Sequence, residues 1–137
     1  MADTIRQVEY YYTTVADKPG EGARVLARLR DAGVNLAAFH AFPSARKSQL
    51  DFVPSDPAGF LAAAKSAGIK LSAAKHVLLV EGDDRRGAIA GLLERLAGAK
   101  INVTAVDAVS SGMGRYGALR WVKSKDQQRA AGALGAA

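Results

Sequence analysis

An internal repeat constrains the fold of this chain of 137 residues more than any other feature of its sequence. When the numbering is shifted by 67, equivalent residues recur in the two halves: Asp17 with Asp84, Gly20 with Gly87, Leu26 with Leu93, Leu29 with Leu96, Val34 with Ile101 and Asn35 with Asn102. Apolar pairs arise easily by chance, but the same Asp, Gly and Asn recur at the same places relative to the predicted strands and helices. We therefore expect two copies of one small unit, 5–74 and 75–137.

The first half alternates between two kinds of hydrophobic pattern. Short β-branched and aromatic runs predict strands, and apolar residues spaced three or four apart predict helices. Asp56 and Pro57 mark a helix start, because Asp caps a helix N-terminus and Pro suits the first helical position. The predicted elements are strand Val8–Thr14, helix 23–30, strand Val34–Phe39, strand Gln49–Val53, helix 57–68 and strand Ile69–Ser72.

The second half repeats most of this order. Its predicted elements are strand Val77–Val80, helix 89–96, strand Ile101–Val109, strand Ala118–Val122 and helix Gln127–Leu134. Nothing is left for a final strand, so the second repeat is expected to lack it. The predicted fold class is α+β, with tandem βαββαβ-type units. The open sheet edge and the aromatic first strand favour a homodimer, because uncovered strand edges and apolar surface need partners.

Positive charge is concentrated in the second half. The formal net charge is +6, of which residues 1–68 contribute +1 and residues 69–137 contribute +5. A solvated surface is the simpler interpretation, and a face that binds anions or nucleic acid is the alternative. Neutralising Arg115, Arg120 and Lys123 would test that alternative. Tyr10 and Tyr12 share a strand face and could stack on bases, although packing within the sheet is favoured.

Composition excludes several classes of protein. The absence of cysteine excludes disulfides and cysteine metal sites. No apolar run approaches the roughly 18 residues that a membrane span needs. The N-terminus has no apolar stretch of the kind that a signal peptide carries. We therefore expect a cytoplasmic protein with no membrane partner.

No constellation of residues predicts catalysis. Gly112–Gly117 has the spacing of a dinucleotide-binding loop, but a predicted strand rather than a helix follows it, so a hairpin turn is favoured. His40 and His76 are the only histidines, and neither has an acidic cluster near it in sequence. There is no nucleophile elbow and no phosphate-binding lysine motif. We expect no enzyme activity, no metal and no cofactor.

The segment from Asp17 to Gly22 joins the first strand to the first helix. A helix N-terminus offers free N–H groups and a partial positive charge, and both suit a carboxylate. Gly20 has no side chain, so a ligand can approach its backbone. A turn that only connects the two elements is the alternative.

These residues resemble the ACT domain, a small regulatory module of amino-acid metabolism. The family pattern is a strand, D-x-P-G, a helix with L-x-x-L, and then G-V/I-N-I at the next strand. The first repeat matches it with Asp17–Gly20, Leu26 and Leu29, and Gly33–Leu36. The second repeat departs from it, with Arg86 where Pro19 stands and Lys100 where Gly33 stands.

The resemblance implies a ferredoxin-like fold in which two units pair through their sheets and hold a ligand, often an amino acid, at the interface. The implied ligand-binding residues are Asp17, Pro19, Gly20, Glu21, Asn35, Asp84, Gly87 and Asn102. We expect a free-standing regulator, without an attached catalytic or DNA-binding domain, that senses an amino acid or acts on a partner enzyme. A ligand-free interaction scaffold is the alternative, and nucleic-acid binding is the least favoured function.

Overall fold

The computed structural model describes residues 3–136 and shows an α+β fold. In chain order the elements are β1 (Thr4–Ala16), α1 (Glu21–Asp31), β2 (Leu36–Ser44), β3 (Lys47–Pro54), α2 (Pro57–Ser66), β4 (Lys75–Asp83), α3 (Ala88–Gly98), β5 (Val103–Gly112), β6 (Arg115–Val122), a 3₁₀ turn (Ser124–Asp126) and α4 (Gln127–Leu134). Between residues 3 and 136, no helix is both long enough and apolar enough to cross a membrane.

The chain divides into two compact units. The first unit is Glu9–Lys75, and the second unit is 76–136 together with 3–8. The strand order is β2-β3-β1 in the first unit and β1-β4-β6-β5 in the second. The pairs β1–β3, β2–β3, β4–β6 and β5–β6 are antiparallel. Because β1 begins earlier than predicted, its residues 4–8 belong with the second unit rather than with the first repeat.

Short-range sequence signals explain where the helices begin. α2 follows Asp56, whose carboxylate accepts a hydrogen bond from the Gly59 backbone N–H at 3.3 Å, and Pro57 is its first residue. This confirms the predicted helix start. α1 and α3 instead follow Gly20 and Gly87, whose φ angles of 87° and 78° lie in the left-handed region that glycine tolerates.

Each unit has its own apolar core between its strands and its helices. The core of the first unit consists of Tyr11, Val25, Leu29, Leu50, Phe52 and Phe60. The core of the second unit consists mainly of Ile5, Leu78, Val80, Leu92, Leu96, Ile101, Tyr116, Ala118, Ala130 and Leu134. Tyr11 is therefore a packing residue, in agreement with the favoured interpretation of the first strand.

The segment Ile69–Ser72 is not a strand, so that prediction is wrong. The Ser72 backbone N–H donates to the Tyr12 carbonyl at 2.8 Å. The return bond runs from the Tyr12 N–H to the Ser72 hydroxyl at 3.0 Å, not to a backbone carbonyl. A side chain thus replaces one rung of the ladder, and regular pairing does not develop, although Ile69 and Leu71 still pack against the core.

The sheet of the second unit was expected to have an open edge where its last strand is missing, but the structure differs. β6 is followed by the 3₁₀ turn and α4, and no strand follows α4 in the described part of the chain. β1 is the neighbour of β4, so the edge that a last strand would cover is already paired. An unfinished edge on β4 therefore no longer argues for a homodimer, and the outer strand of this unit is β5.

Candidate ligand site

Two loops of the same geometry join a strand to a helix, one in each unit. Gly20 precedes α1 and Gly87 precedes α3, and neither helix start receives a hydrogen bond from a capping side chain. A Cβ on either glycine would meet no atom within 4 Å. Both helix starts therefore present backbone N–H donors and the positive end of a helix dipole, with open space at the glycine.

The aspartates of the two loops make equivalent contacts. The Asp17 carboxylate accepts a hydrogen bond from the Ser48 hydroxyl at 3.2 Å, and the Asp84 carboxylate accepts one from the Ser110 hydroxyl at 2.9 Å. Each contact ties the loop to the hairpin of its own unit. Both aspartates are exposed, so each also offers a negative charge beside its helix start.

Pro19 and Glu21 complete the first loop. Pro19 is exposed and lies in a turn that is closed by a 3.4 Å hydrogen bond from the Glu21 N–H to the Lys18 carbonyl. The Glu21 carboxylate accepts a hydrogen bond from the Arg24 guanidinium at 2.9 Å, one helical turn away. The charge of Glu21 is thus paired within α1.

A cavity of about 270 Å³ opens at the second loop. Its lining includes the loop residues Asp84, Arg85 and Gly87, the first turn of α3, and Ser110 and Tyr116 of the facing strands. The structure therefore brings Asp84 and Gly87 together at one site. The volume suits only a small molecule, because it lies just below the usual range for ligand pockets, which begins at roughly 300 Å³.

Asn35 lies at a different place from Gly20. α1 has 11 residues and a length of about 16 Å; Gly20 precedes it and Asn35 follows it. The Asn35 amide donates to the Ser55 hydroxyl at 3.2 Å, beside a separate cavity of about 310 Å³ at the start of α2. A small ligand can therefore contact the loop at Gly20 or the region of Asn35, but not both within this unit. Asn102 is exposed at the equivalent position, just before β5.

An ion pair that the sequence analysis missed lies beside the second loop. Arg85 donates to both carboxylate oxygens of Asp3, at 2.9 and 3.1 Å, across 82 positions of sequence. These hydrogen bonds hold the pKa of Asp3 below its ordinary value. Burial raises the pKa of the neighbouring Tyr116 hydroxyl, and the Asp3 carboxylate raises it further. No local signal joins Asp3 to Arg85, because only the pairing of β1 with β4 brings them together.

Arg120 is buried, so the expectation that it belongs to a basic surface is wrong. It lies opposite the core residue Leu78, on the helix-facing side of β6. Its three guanidinium nitrogens have no hydrogen-bond partner, and burial lowers its pKa. Arg115 forms an ion pair with Asp83 at 2.7 Å. Two of the three basic residues chosen for nucleic-acid binding are therefore enclosed or paired.

Asp51 is a buried carboxylate in the first unit. The Gln49 side-chain amide donates to it at 2.9 Å, and its cross-strand neighbours are Tyr12 and His40. Burial raises the pKa of Asp51, and the hydrogen bond from Gln49 and the charges of His40 and Lys75 oppose that rise. The alternating strand pattern does not predict a buried acid at this position.

The glycine-rich segment Gly112–Gly117 forms the β5–β6 hairpin. The turn residues Met113 and Gly114 have positive φ angles of 55° and 73°. This confirms the hairpin interpretation over a cofactor loop. Across residues 3–136 no group of three or more metal-ligating side chains is placed to hold an ion.

The fold is similar to several solved structures. Protein BT0572 from Bacteroides thetaiotaomicron aligns with a TM-score of 0.81 and 17% identity, over 96% of this chain and 88% of that one. The ligand-free regulatory subunit of aspartate kinase from Thermus thermophilus gives 0.64 and 15%, over 98% and 95%. The aspartokinase alpha and beta subunits give 0.61 and 19%, also over 98% and 95%.

No family model matches the sequence, and no curated protein matches it significantly. The structural neighbours include regulatory, ACT-containing domains of aspartate kinase, so the fold of this chain is ACT-like. Identities below 20% establish a shared fold and leave the ligand to be argued from the site.

Proposed function

We propose that this protein is a non-catalytic regulatory module that binds a small α-amino acid at its strand-to-helix loops. The observation that carries the proposal is a helix start that follows a left-handed glycine and lacks a side-chain cap; at α3 such a start adjoins a cavity of about 270 Å³. The start of α1 has the same left-handed glycine and also lacks a cap. The similarity in fold to a regulatory subunit of aspartate kinase supports an amino-acid ligand.

The loops offer a partner to each charged group of an α-amino acid. The carboxylate suits the N–H donors and the partial positive charge of a helix start. The ammonium group suits an exposed carboxylate, supplied by Asp17 in the first loop and by Asp84 in the second. We place the main site at the first loop, because Asp3 already brings a carboxylate to Arg85 beside the second loop.

Thermal-shift measurements with the common amino acids test this proposal. At least one amino acid should raise the unfolding midpoint, and calorimetric titration should then measure its affinity. Gly20→Asp places a negative charge where the ligand carboxylate would bind, so it should weaken binding about tenfold or more. Gly87→Asp should weaken binding less.

Gly68→Asp is the matched control for these variants. Gly68 also has a left-handed backbone, with a φ of 72°, and a Cβ there would likewise meet no atom within 4 Å. The control therefore carries similar backbone strain and the same new charge at a residue that belongs to neither loop, and it should bind as the unaltered protein does. If no amino acid raised the unfolding midpoint, the result would contradict amino-acid sensing. It would favour a scaffold that acts on a partner enzyme through protein contacts.

We also propose that the protein forms a homodimer through β5. β5 is the outer strand of the second unit, and Val109 near its end is 66% exposed. An outer strand with unpaired backbone groups and apolar side chains is a template for a further strand. Light scattering should give twice the chain mass of 14.3 kDa, and Val109→Lys should reduce it to the monomer mass. A monomer mass for the unaltered protein would contradict the proposal.

A further inference from the structure

A buried carboxylate occupies the strand surface beside the second loop. Arg85 binds Asp3 through two parallel hydrogen bonds of 2.9 and 3.1 Å, which is the geometry with which arginine recognises free carboxylates. The Asp3 side chain is only 6% exposed. The Asp3 carboxylate therefore makes the contacts of a bound acid, and it differs from one by its covalent link to the chain.

Gly82 makes room for this carboxylate. A Cβ at Gly82 would lie 2.0 Å from Asp3 Oδ1 and 3.0 Å from Tyr116 Cε1, so a larger residue would have to displace one of them. Gly82 lies within β4 and is not among the glycines with positive φ. The Asp3 carboxylate therefore occupies the space that a side chain at residue 82 would fill, and a larger residue there would compete with it.

The surrounding side chains offer more donors than Asp3 uses. Arg120 is fully buried, and its Nε, Nη1 and Nη2 atoms have no hydrogen-bond partner. The Tyr116 hydroxyl is also buried without a well-formed hydrogen bond. Arg120 lies on the same strand, β6, as Tyr116, and its charge helps to lower the pKa of Asp3. Arg85 and Tyr116 thus adjoin the Asp3 carboxylate directly, and Arg120 adds a buried positive charge to the same unit.

We propose that this cluster is a binding site for small carboxylic acids, and that Asp3 fills it as a tethered occupant. The site consists of Gly82, Arg85 and Tyr116. It does not depend on amino-acid binding at the loops, because its donors are side chains rather than the N–H groups of a helix start. A free acid of the size of acetate fits where the Asp3 carboxylate now lies.

The neighbouring cavity gives a free acid access to this site. Arg85 and Tyr116 line the cavity of about 270 Å³ at the start of α3, and both also adjoin Asp3. An acid in the cavity can therefore compete with Asp3 for the guanidinium of Arg85. Asp3 consequently lowers the apparent affinity of the site for any free carboxylate, as a tethered competitor does.

Removing the Asp3 carboxylate tests the proposal, with sodium acetate as the probe. The unfolding midpoint of Asp3→Ala is measured at neutral pH in acetate and in chloride at equal ionic strength. Acetate should raise the midpoint over chloride in a saturable way, because a ligand that binds only the folded state stabilises it. The unaltered protein should respond about tenfold more weakly, and adding Arg85→Gln to Asp3→Ala should abolish the response.

Asp83→Ala is the matched control. It also removes an aspartate paired with an arginine, Arg115 at 2.7 Å, but the Asp83 side chain is 39% exposed. Its response to acetate should not exceed that of the unaltered protein. If Asp3→Ala is unfolded in chloride, acetate should refold it. The proposal would be overturned if Asp3→Ala had the same unfolding midpoint in acetate and in chloride, or if it stayed unfolded in both. It would also be overturned if acetate raised the midpoint of Asp83→Ala as much as that of Asp3→Ala.

Discussion

The two units place different side chains at equivalent positions of their cores. Phe52 of β3 lies opposite Tyr11 of β1, and Arg120 of β6 lies opposite Leu78 of β4. Phe52 and Arg120 are both completely buried. In the first unit Phe60 packs against both rings, with centroids 5.6 Å from Tyr11 and 5.5 Å from Phe52. The second unit has an aliphatic side chain and a guanidinium at the positions of the first two rings.

The helices of the two units differ in the same way. The buried residues of α2 are Phe60 and Ala64, and Ala130 and Leu134 are buried in α4 at the same spacing. A ring in the first unit thus corresponds to a methyl group in the second. A shared order of elements therefore specifies which positions are buried, but the chemistry of those positions is set separately in each unit. The carboxylate cluster lies in the unit whose helix-facing core holds an arginine.

Phe52→Ala should have the largest effect on stability. Removing this ring leaves a cavity between Tyr11 and Phe60, and a Phe→Ala change in a core costs about 4 kcal/mol. Urea unfolding followed by circular dichroism measures the loss. Phe39→Ala is the control, because Phe39 contacts Phe52 at 5.6 Å between centroids but is 38% exposed. Similar losses for the two variants would show that the aromatic core contributes less than the comparison implies.

Arg120→Met should stabilise the protein, in contrast to the change at Phe52. Replacing a buried charge that lacks hydrogen bonds with an apolar side chain of similar length removes a desolvation penalty, so we expect a gain of about 2 kcal/mol. The same urea experiment measures it. Arg30→Met is the control, because Arg30 forms an exposed pair with Asp31 and should change stability little. A marked loss of stability in Arg120→Met would mean that Arg120 has a strong partner in solution.

A change of pH should affect the stability of the two units in opposite directions. These effects should be smaller than those of Phe52→Ala and Arg120→Met. The pKa of Asp51 is raised above 3.8 by burial, so its folded form holds a proton more tightly than the unfolded chain and stability falls as pH rises through the window above 3.8. The pKa of Asp3 is lowered below 3.8 by Arg85, so its contribution is present above 3.8 and is lost as pH falls through the lowered pKa.

Urea unfolding over a series of pH values separates these two contributions. Asp51→Asn should raise stability at neutral pH and flatten its decline above 3.8, while the bond from Gln49 can still be accepted by the amide oxygen. Asp3→Asn should lower stability at neutral pH and flatten the decline on the acid side. The prediction for Asp51 is wrong if Asp51→Asn lowers stability at neutral pH.

Local signals predicted much of the secondary structure and part of the candidate site. The cap of α2 depends on Asp56, Pro57 and Gly59, which are neighbours in sequence. The shared geometry of Gly20 and Gly87 depends on one backbone angle that glycine favours. The failed prediction at Ile69–Ser72 has a different cause, because the Ser72 hydroxyl takes the place of a backbone carbonyl toward Tyr12. A hydrophobic pattern does not reveal such a side-chain contact.

The sequence by itself predicted the two glycine loops and, apart from the strand at Ile69–Ser72, the order of strands and helices, because these follow from hydrophobic spacing and from backbone preferences over a few residues. Only the tertiary structure decided that Arg120 is enclosed, that Asp3 meets Arg85 across 82 positions, and that β1 covers the edge of β4. These features arise from the pairing of distant strands. A charge can be held inside a core only where neighbouring elements exclude water around it, and that condition is not visible in the spacing of residues along the chain.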